Sequence, residues 1–139
     1  MNITTDHILD LWRIEPTLTY SGFEDHPRPA MRKALLDHLA EVQTCVDWLQ
    51  AQDIAPRITA RHYSSYFLKH AAEWASGQYV SNGALLAAVV ILGIPYRPLP
   101  SSLNAVVAVN FKRRNRRLHG EKGEQSLCYA EFKPLQVTR

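Results

Sequence analysis

The most regular pattern of apolar and polar positions lies in residues 64–93, and it predicts two helices joined by a tight turn. Ser64 or Ser65 is expected to cap the first helix, because a serine oxygen there accepts a bond from an unpaired N–H of the first turn. Gly77 is expected to end it, since glycine adopts the left-handed conformation without a Cβ penalty. The apolar face recurs at helical spacing and consists of Phe67, Leu68, Ala71, Ala72 and Ala75.

The second predicted helix is apolar on nearly all sides over residues 84–92, which indicates the most buried element of the domain. Ser81 or Asn82 is placed to cap it, and Gly93 followed by Pro95 ends it. The apolar stretch is well short of the ~20 residues that a membrane span requires. We therefore expect a core helix and no membrane association.

A shorter amphipathic helix is predicted near the N-terminus, from Thr5 or Asp6 to about residue 13. Its apolar face consists of Ile8, Leu11 and Trp12. Pro16 ends it, and residues 17–29 form a turn-rich connector that is either a packed loop or a contact surface. The large aromatic residues of this connector are Tyr20 and Phe23.

A wide apolar stripe predicts one long helix of roughly 20 residues beginning at Pro29, whose missing N–H costs nothing at a first helical position. The stripe consists of Leu35, Leu39, Val42, Val46 and Leu49, widened by Leu36 and Trp48. The polar residues expected to face water are Arg32, Asp37, Glu41 and Asp47. A dimerising helix, and hence a homodimer, is the competing interpretation, which the width of the stripe disfavours.

The remaining pattern predicts a small β-hairpin between residues 96–99 and 106–111, while residues 57–63 form a short strand or an extended lead-in. Two helices followed by a hairpin is the layout of a winged helix-turn-helix. We therefore predict a mainly α fold with a small β-hairpin, in the α+β class, containing a helix-turn-helix-like unit. The predicted core consists of Leu35, Leu39, Val42, Val46, Leu49, Leu68, Ala72, Leu85, Val89 and Leu92.

The 139 residues are expected to form a single domain. Its parts are an N-terminal helix and connector at residues 1–28, a helical core with the hairpin at 29–111, and a basic segment at 112–139. Cys45 and Cys128 are too few and too far apart for a disulfide framework or a zinc site. No signal peptide is visible, so a cytoplasmic location is expected.

Residues 61–110 contain the pattern SSYxLKHxxE, then YVSNGxLxxAxxxxG, then an Asn-led apolar strand. This pattern resembles small uncharacterised proteins carried on plasmids, phages and integrative elements. The resemblance implies a mobile-element context and no particular activity. Two features depart from it: Phe67 replaces a small residue, and the basic run that begins at Lys112 is not part of the pattern. The matching positions are Ser64, Ser65, Tyr66, Leu68, Lys69, His70, Glu73, Tyr79, Ser81, Asn82, Gly83 and Gly93.

The net charge of +3 is distributed unevenly along the chain. Residues 1–96 hold seven Lys/Arg against ten Asp/Glu, whereas residues 97–139 hold nine Lys/Arg against three Asp/Glu. Within the second part, residues 112–117 contain five cations: Lys112, Arg113, Arg114, Arg116 and Arg117. Such a run binds phosphates through paired, charge-assisted bonds, and the alternative is a solvated segment that aids solubility. Together with Arg97, it is the candidate site for nucleic acid or an acidic partner.

The second helix of the predicted pair lacks the polar side chains that a DNA-reading helix needs on an exposed face. Residues 84–92 contain only Ala, Leu, Val and Ile. The pair is therefore expected to act as a scaffold, and any contact is expected in the basic segment or on the first helix.

On the first helix and the turn after it, Tyr66, Lys69, His70 and Tyr79 form a candidate contact surface. Lys69 and Glu73 are expected to form a surface pair worth about 0.3 kcal/mol. Two residues such as His70 and Glu73 do not complete a metal site, and the other histidines have no ligand spacing. No nucleophile motif and no phosphate-cradling glycine loop occurs, so we expect no metal, no cofactor and no enzymatic activity.

Two functions of different classes remain. One is a nucleic-acid-associated protein whose basic segment contacts phosphates, and the polarised charge favours it. The other is a protein-binding inhibitor of a host defence complex, of anti-CRISPR or anti-restriction type, and the missing reading face favours it. The expected partner is accordingly a nucleic acid, a nucleoprotein complex or a host protein.

Overall fold

The computed structural model describes residues 1–110, which form a mainly helical α+β fold, as predicted. These residues contain five helices and six short strands. The helices are α1 (Thr5–Ile14), α2 (Pro29–Asp37), α3 (Leu39–Gln50), α4 (Ser65–Ser76) and α5 (Asn82–Leu92). The strands form three antiparallel pairs: β1 (Leu18–Thr19) with β2 (Gly22–Phe23), β3 (Asp53–Ile54) with β6 (Val109–Asn110), and β4 (Tyr96–Pro98) with β5 (Ala105–Val107).

The centre of the fold is α5, and its predicted burial is confirmed. Every residue from 82 to 89 is buried, and the helix packs against α1, α3 and α4. The Ser81 side chain accepts a hydrogen bond from the Ala84 amide at 2.9 Å, and Gly93 ends the helix at φ +72°. Burying one of its leucine or valine side chains contributes about 1.5–3 kcal/mol. None of the helices among residues 1–110 is long and apolar enough to cross a membrane.

The first turn of α5 lies directly against the β1–β2 hairpin. The Gly83 amide donates to the Tyr20 carbonyl at 3.0 Å, and a Cβ at Gly83 would clash with the Thr19 carbonyl oxygen. Glycine is therefore needed here for close approach. The connector at residues 17–29 is therefore a packed loop, which was one of the two predicted alternatives. Leu18 is fully buried, and the Trp12 indole donates to the Leu18 carbonyl at 2.8 Å.

The predicted single helix from Pro29 is wrong, because it is divided at His38 into α2 and α3. His38 leaves helical geometry at φ −124°, ψ 45°, its ring contacts Tyr20 at 4.7 Å, and its Nδ1 lies 2.7 Å from the Ala34 carbonyl. The division lets α2 pack on β1 while α3 packs on α5. The His38 side chain thus bonds the Ala34 carbonyl, which the His38 amide would bond in a continuous helix.

Most of the predicted core is confirmed, with two exceptions. Leu39, at the new helix start, and Leu92, in the last turn of α5, are only half-buried. The stripe of α3 packs inside the chain against α5 and α4, so it is not a surface available to a second copy. The confirmed core residues are Leu35, Val42, Val46, Leu49, Leu68, Ala72, Leu85 and Val89.

The predicted hairpin is present, with Tyr96 opposite Val107 and Pro98 opposite Ala105. Its second strand is interrupted at Ala108, however, and the continuation β6 pairs with β3 instead. Residues 57–63 contain a turn at residues 60–61 and no strand, so of the two predicted alternatives the short strand is wrong. The described residues end at Asn110, in the strand β6 that pairs with β3.

Candidate binding site

Three of the four predicted contact residues, Tyr66, Lys69 and Tyr79, line one cleft on the surface of α4 and the turn after it. The fourth, His70, lies next to Tyr66, with ring centroids 4.6 Å apart in an edge-to-face arrangement. Ser64 caps α4 and Gly77 ends it at φ +72°, as predicted. Tyr66, Lys69 and His70 therefore lie on a helix with well-defined ends, and Tyr79 lies in the turn that follows it.

Along the exposed face of α4, aromatic rings follow one another every four residues. We call Tyr66, His70 and Trp74 the aromatic row. Tyr66 is 54% exposed and Trp74 is 50% exposed. Tyr79, in the turn after the helix, is 62% exposed. Contiguous exposed apolar surface on a small domain often marks an interaction site, whereas single exposed apolar residues are normal.

Lys69 is not the surface residue that the sequence predicted, since its exposure is only 7%. Its ammonium group lies 3.1 Å from the Glu73 carboxylate and donates to the Val80 carbonyl, also at 3.1 Å. It also lies 4.6 Å from the centre of the Tyr79 ring, within the range of a cation–π contact. Lys69 therefore holds the turn after α4 in place and supports Tyr79.

Glu73 completes this buried network. One carboxylate oxygen lies 3.0 Å from the His70 Nδ1, and the other accepts the Val80 amide at 3.2 Å in addition to Lys69. The carboxylate therefore connects a member of the aromatic row to the turn that contains Tyr79. These contacts hold His70 and Tyr79 in place before any partner binds.

Glu41 was expected to face water, but it lies half-buried behind the cleft. It accepts the Ser81 amide and the Tyr20 hydroxyl, each at 2.9 Å. Burial and the bond to Glu41 together raise the pKa of Tyr20 well above its usual value. Glu41 thus fastens the start of α5 and the β1–β2 hairpin to α3.

The cleft itself has a volume of about 590 Å³ and a mixed lining of tyrosine rings and small polar side chains. At its base, the Asn82 amide group donates to the Ser21 and Leu103 carbonyls at 3.1 and 3.2 Å. The Asn82 Oδ1 is buried and has no partner in the described part of the chain. The cleft connects Tyr66, the first ring of the aromatic row, to Tyr79.

Cys45 is a free, buried cysteine of α3. Burial raises the pKa of the Cys45 thiol, and the nearby carboxylates of Glu41 and Glu73 raise it further. A thiol held protonated in this way is a poor nucleophile. Residues 1–110 contain no group of three or more His, Cys, Asp or Glu side chains placed to hold a metal ion.

The cationic part of the predicted site divides between described and undescribed residues. Arg97 is exposed on β4 opposite Val106, and Val106 bridges to Ser64 on its other side. Two strand spacings of ~4.8 Å put the Arg97 backbone roughly 10 Å from the N-terminal cap of α4. The run from Lys112 to residue 117 lies outside the described residues.

Two further arginines, Arg57 and Arg61, lie near the last described strand. Arg57 follows Ala55, whose amide donates to the Ala108 carbonyl at 2.9 Å. Arg61 precedes His62, whose Nε2 lies 3.0 Å from the Asn110 Oδ1. Both arginines are exposed, and neither forms an ion pair within residues 1–110. We call Arg57, Arg61 and Arg97 the basic edge.

Sequence reasoning missed Trp74, Arg57 and Arg61. The spacing of four between Tyr66, His70 and Trp74 was a visible signal, because residues four apart share a helix face. No local signal connects Arg57 and Arg61 to Asn110, since the connection is a β3–β6 pairing across more than 50 residues of chain.

The chain matches no protein-family model, no curated protein and no solved structure.

Proposed function

We propose that the protein is a small, non-enzymatic, nucleic-acid-associated binding protein of mobile-element type that acts in the cytoplasm. In this proposal, phosphates are contacted by Arg97 and by the cations of the basic segment. These cations are Lys112, Arg113, Arg114, Arg116 and Arg117. The observation that supports it most is the position of Arg57 and Arg61 near β6, the strand from which the chain continues into residues 112–117.

Charge distribution supports the same proposal. Residues 1–110 hold eight Lys/Arg and ten Asp/Glu, so the described domain is slightly acidic as a whole. Against that background, Arg57 and Arg61 are exposed near the β3–β6 pair, Arg97 is exposed on β4, and none of the three has an ion pair within residues 1–110. Five more cations follow Asn110 within seven residues. Guanidinium groups free of internal partners are suited to paired bonds with phosphate oxygens.

The expected mode of binding is independent of sequence. A helix-turn-helix protein reads bases with its second helix in the major groove. The corresponding helix here, α5, is buried from residue 82 to residue 89 and has no side chains to offer to base edges. Binding through the phosphate backbone alone discriminates little between sequences.

A salt series on unrelated duplex and single-stranded oligonucleotides tests the proposal. Replacing Arg113, Arg114, Arg116 and Arg117 by Ala should weaken binding about equally for all sequences. It should also flatten the plot of log affinity against log salt by about 0.7–0.9 per lost phosphate contact. Failure of the wild-type protein to bind any of these oligonucleotides at low salt would refute the proposal.

A matched control removes cations from another surface. Arg13 and Lys33 lie on α1 and α2, away from the β3–β6 pair. Replacing both by Ala changes the net charge by the same amount as replacing Arg57 and Arg61. Equal losses of affinity in the two double variants would mean that only the total charge matters, and that the basic edge is not a site.

A second candidate function is inhibition of a host defence complex by protein binding. The observation that favours it is the group of exposed rings, since Tyr and Trp are enriched among the residues that dominate protein interfaces. Affinity capture from the natural host, with and without nuclease treatment, tests it. Nuclease-resistant retention on one protein complex, together with no affinity for free oligonucleotides, supports this candidate over the first.

A further inference from the structure

The aromatic row is an exposed surface that phosphate binding alone does not use. Tyr66 and Trp74 are eight residues apart on α4, or about 12 Å along the helix axis. A few nucleotides of one strand, at ~3.4 Å each when stacked, span that distance. Tyr79 adds a third exposed ring across the cleft from Tyr66.

Two of the three rings, Tyr66 and Tyr79, are held in orientation by their neighbours. Tyr66 is braced by the edge of His70, which in turn contacts Glu73 at 3.0 Å. Tyr79 covers the buried Lys69 ammonium group. Rings that are ordered before binding lose little conformational entropy when a planar group stacks on them.

The charge at one end of the row complements a nucleic acid backbone. Arg61 precedes the α4 cap by three residues, and Arg97 lies two strand positions from that cap. Phosphates held there would place the following nucleotides near the start of α4. An aromatic surface with cations at its end is the arrangement that binds single strands, whose bases offer free faces for stacking.

We propose that the nucleic acid is single-stranded and that its bases stack on Tyr66, Trp74 and Tyr79. This inference rests on the proposed function and names its substrate class. In a duplex the base faces are stacked on one another and closed to side chains, and α5, which corresponds to the reading helix of a helix-turn-helix, is buried from residue 82 to residue 89. Single strands use both the basic edge and the aromatic row.

The test uses the full chain and two probes, a short oligodeoxythymidylate and a random-sequence duplex of equal length. Trp74→Ala and Tyr66→Ala should each weaken single-strand binding by roughly 5- to 100-fold, the loss of one stacked base. The slope of log affinity against log salt should stay the same, because stacking releases no counterions. The duplex should bind more weakly than the single strand and respond little to either variant.

Two control variants separate stacking from general loss of surface. Trp74→Phe retains a ring and should retain most of the affinity. Leu9→Ala removes an exposed apolar side chain from α1, 47% exposed, and should change nothing. Intrinsic fluorescence gives a second measurement, since Trp48 is fully buried, Trp12 is half-buried against the core and Trp74 is exposed. The single strand should quench the wild-type emission and leave that of Trp74→Phe nearly unchanged.

The outcomes distinguish the inference from the proposed function. If both probes bind equally and the aromatic variants are neutral, while the four-arginine variant still loses affinity, the inference is wrong and the proposed function stands. If neither probe binds the wild-type protein, both are wrong. If the aromatic variants lose retention on a host protein but not on the oligonucleotide, the row is a protein interface and the inference is refuted.

Discussion

The helices α4 and α5 have nearly the same length and the same kind of ends, yet opposite surfaces. Each has a serine N-cap and a left-handed glycine after its last turn. In α5 eight consecutive residues are buried, whereas α4 buries one face and exposes an aromatic row on the other. The layout of a helix-turn-helix is therefore present, but the two helices do not have their usual roles. The second helix forms the core, and the first has the free face.

This difference separates stability from binding. Substitutions in α5 remove core packing and should lower the free energy of unfolding. Substitutions on the exposed face of α4 should leave that free energy unchanged and alter binding alone.

The largest effect is expected at Leu85 in α5, which is fully buried. Leu85→Ala removes core atoms and leaves a cavity, at a cost of about 2–5 kcal/mol of unfolding free energy. Leu39→Ala, at a half-buried leucine, is the matched control and should cost clearly less. Urea unfolding of both variants measures the difference. Similar losses at the two sites would contradict the central position of α5.

Lys69→Met tests the buried network beneath the exposed face of α4. It leaves Glu73 without its cationic partner in a site where the lysine side chain is only 9% exposed, so we expect a loss of about 1.5–3 kcal/mol. Lys33→Met is the matched control, because Lys33 pairs with Asp37 at the same helical spacing but is 73% exposed. That variant should change stability by less than about 1 kcal/mol. A neutral Lys69→Met would mean that the network contributes nothing to the fold.

The glycines of the two helices are required for different reasons. Gly83→Ala in α5 brings a Cβ against backbone atoms of the β1–β2 hairpin and should cost about 1–3 kcal/mol. Gly77 has no neighbouring atom within 4 Å of the Cβ position, so only its positive φ restricts it. Asparagine tolerates that conformation, and Gly77→Asn should cost little, whereas Gly83→Asn should cost at least as much as Gly83→Ala. Thermal unfolding of the three variants distinguishes space from backbone conformation.

Local signals explain which parts of the fold could be predicted. Ser64, Gly77, Ser81 and Gly93 act within one turn of their own helices, so residues 64–93 were predicted nearly to the residue. The division at His38 depends on a ring contact with Tyr20, and the β3–β6 pair depends on residues far apart in sequence. Neither the division nor the strand pair can be recognised from neighbouring residues in the sequence.

The candidate site shows the same limit. Helical spacing placed Tyr66 and His70 on one face of α4, and extending it by four residues gives Trp74. The burial of Lys69 was not predictable, because it depends on the Val80 carbonyl and the Tyr79 ring folding back from the following turn. A lysine and a glutamate four residues apart usually form an exposed pair, and here tertiary contacts bury it.

The smallest effect on stability is expected at Trp74, and it is the most informative about the comparison. Its side chain is 50% exposed, so Trp74→Ala should change the free energy of unfolding by less than about 0.5 kcal/mol. The size of this aromatic residue would then have no structural purpose, since alanine is also the better helix former. Urea unfolding and single-strand binding measured on the same preparation decide the matter. Unchanged stability with reduced binding assigns Trp74 to the contact surface. A loss of stability comparable to that of Leu85→Ala would place Trp74 in the core and remove the distinction between the two helices.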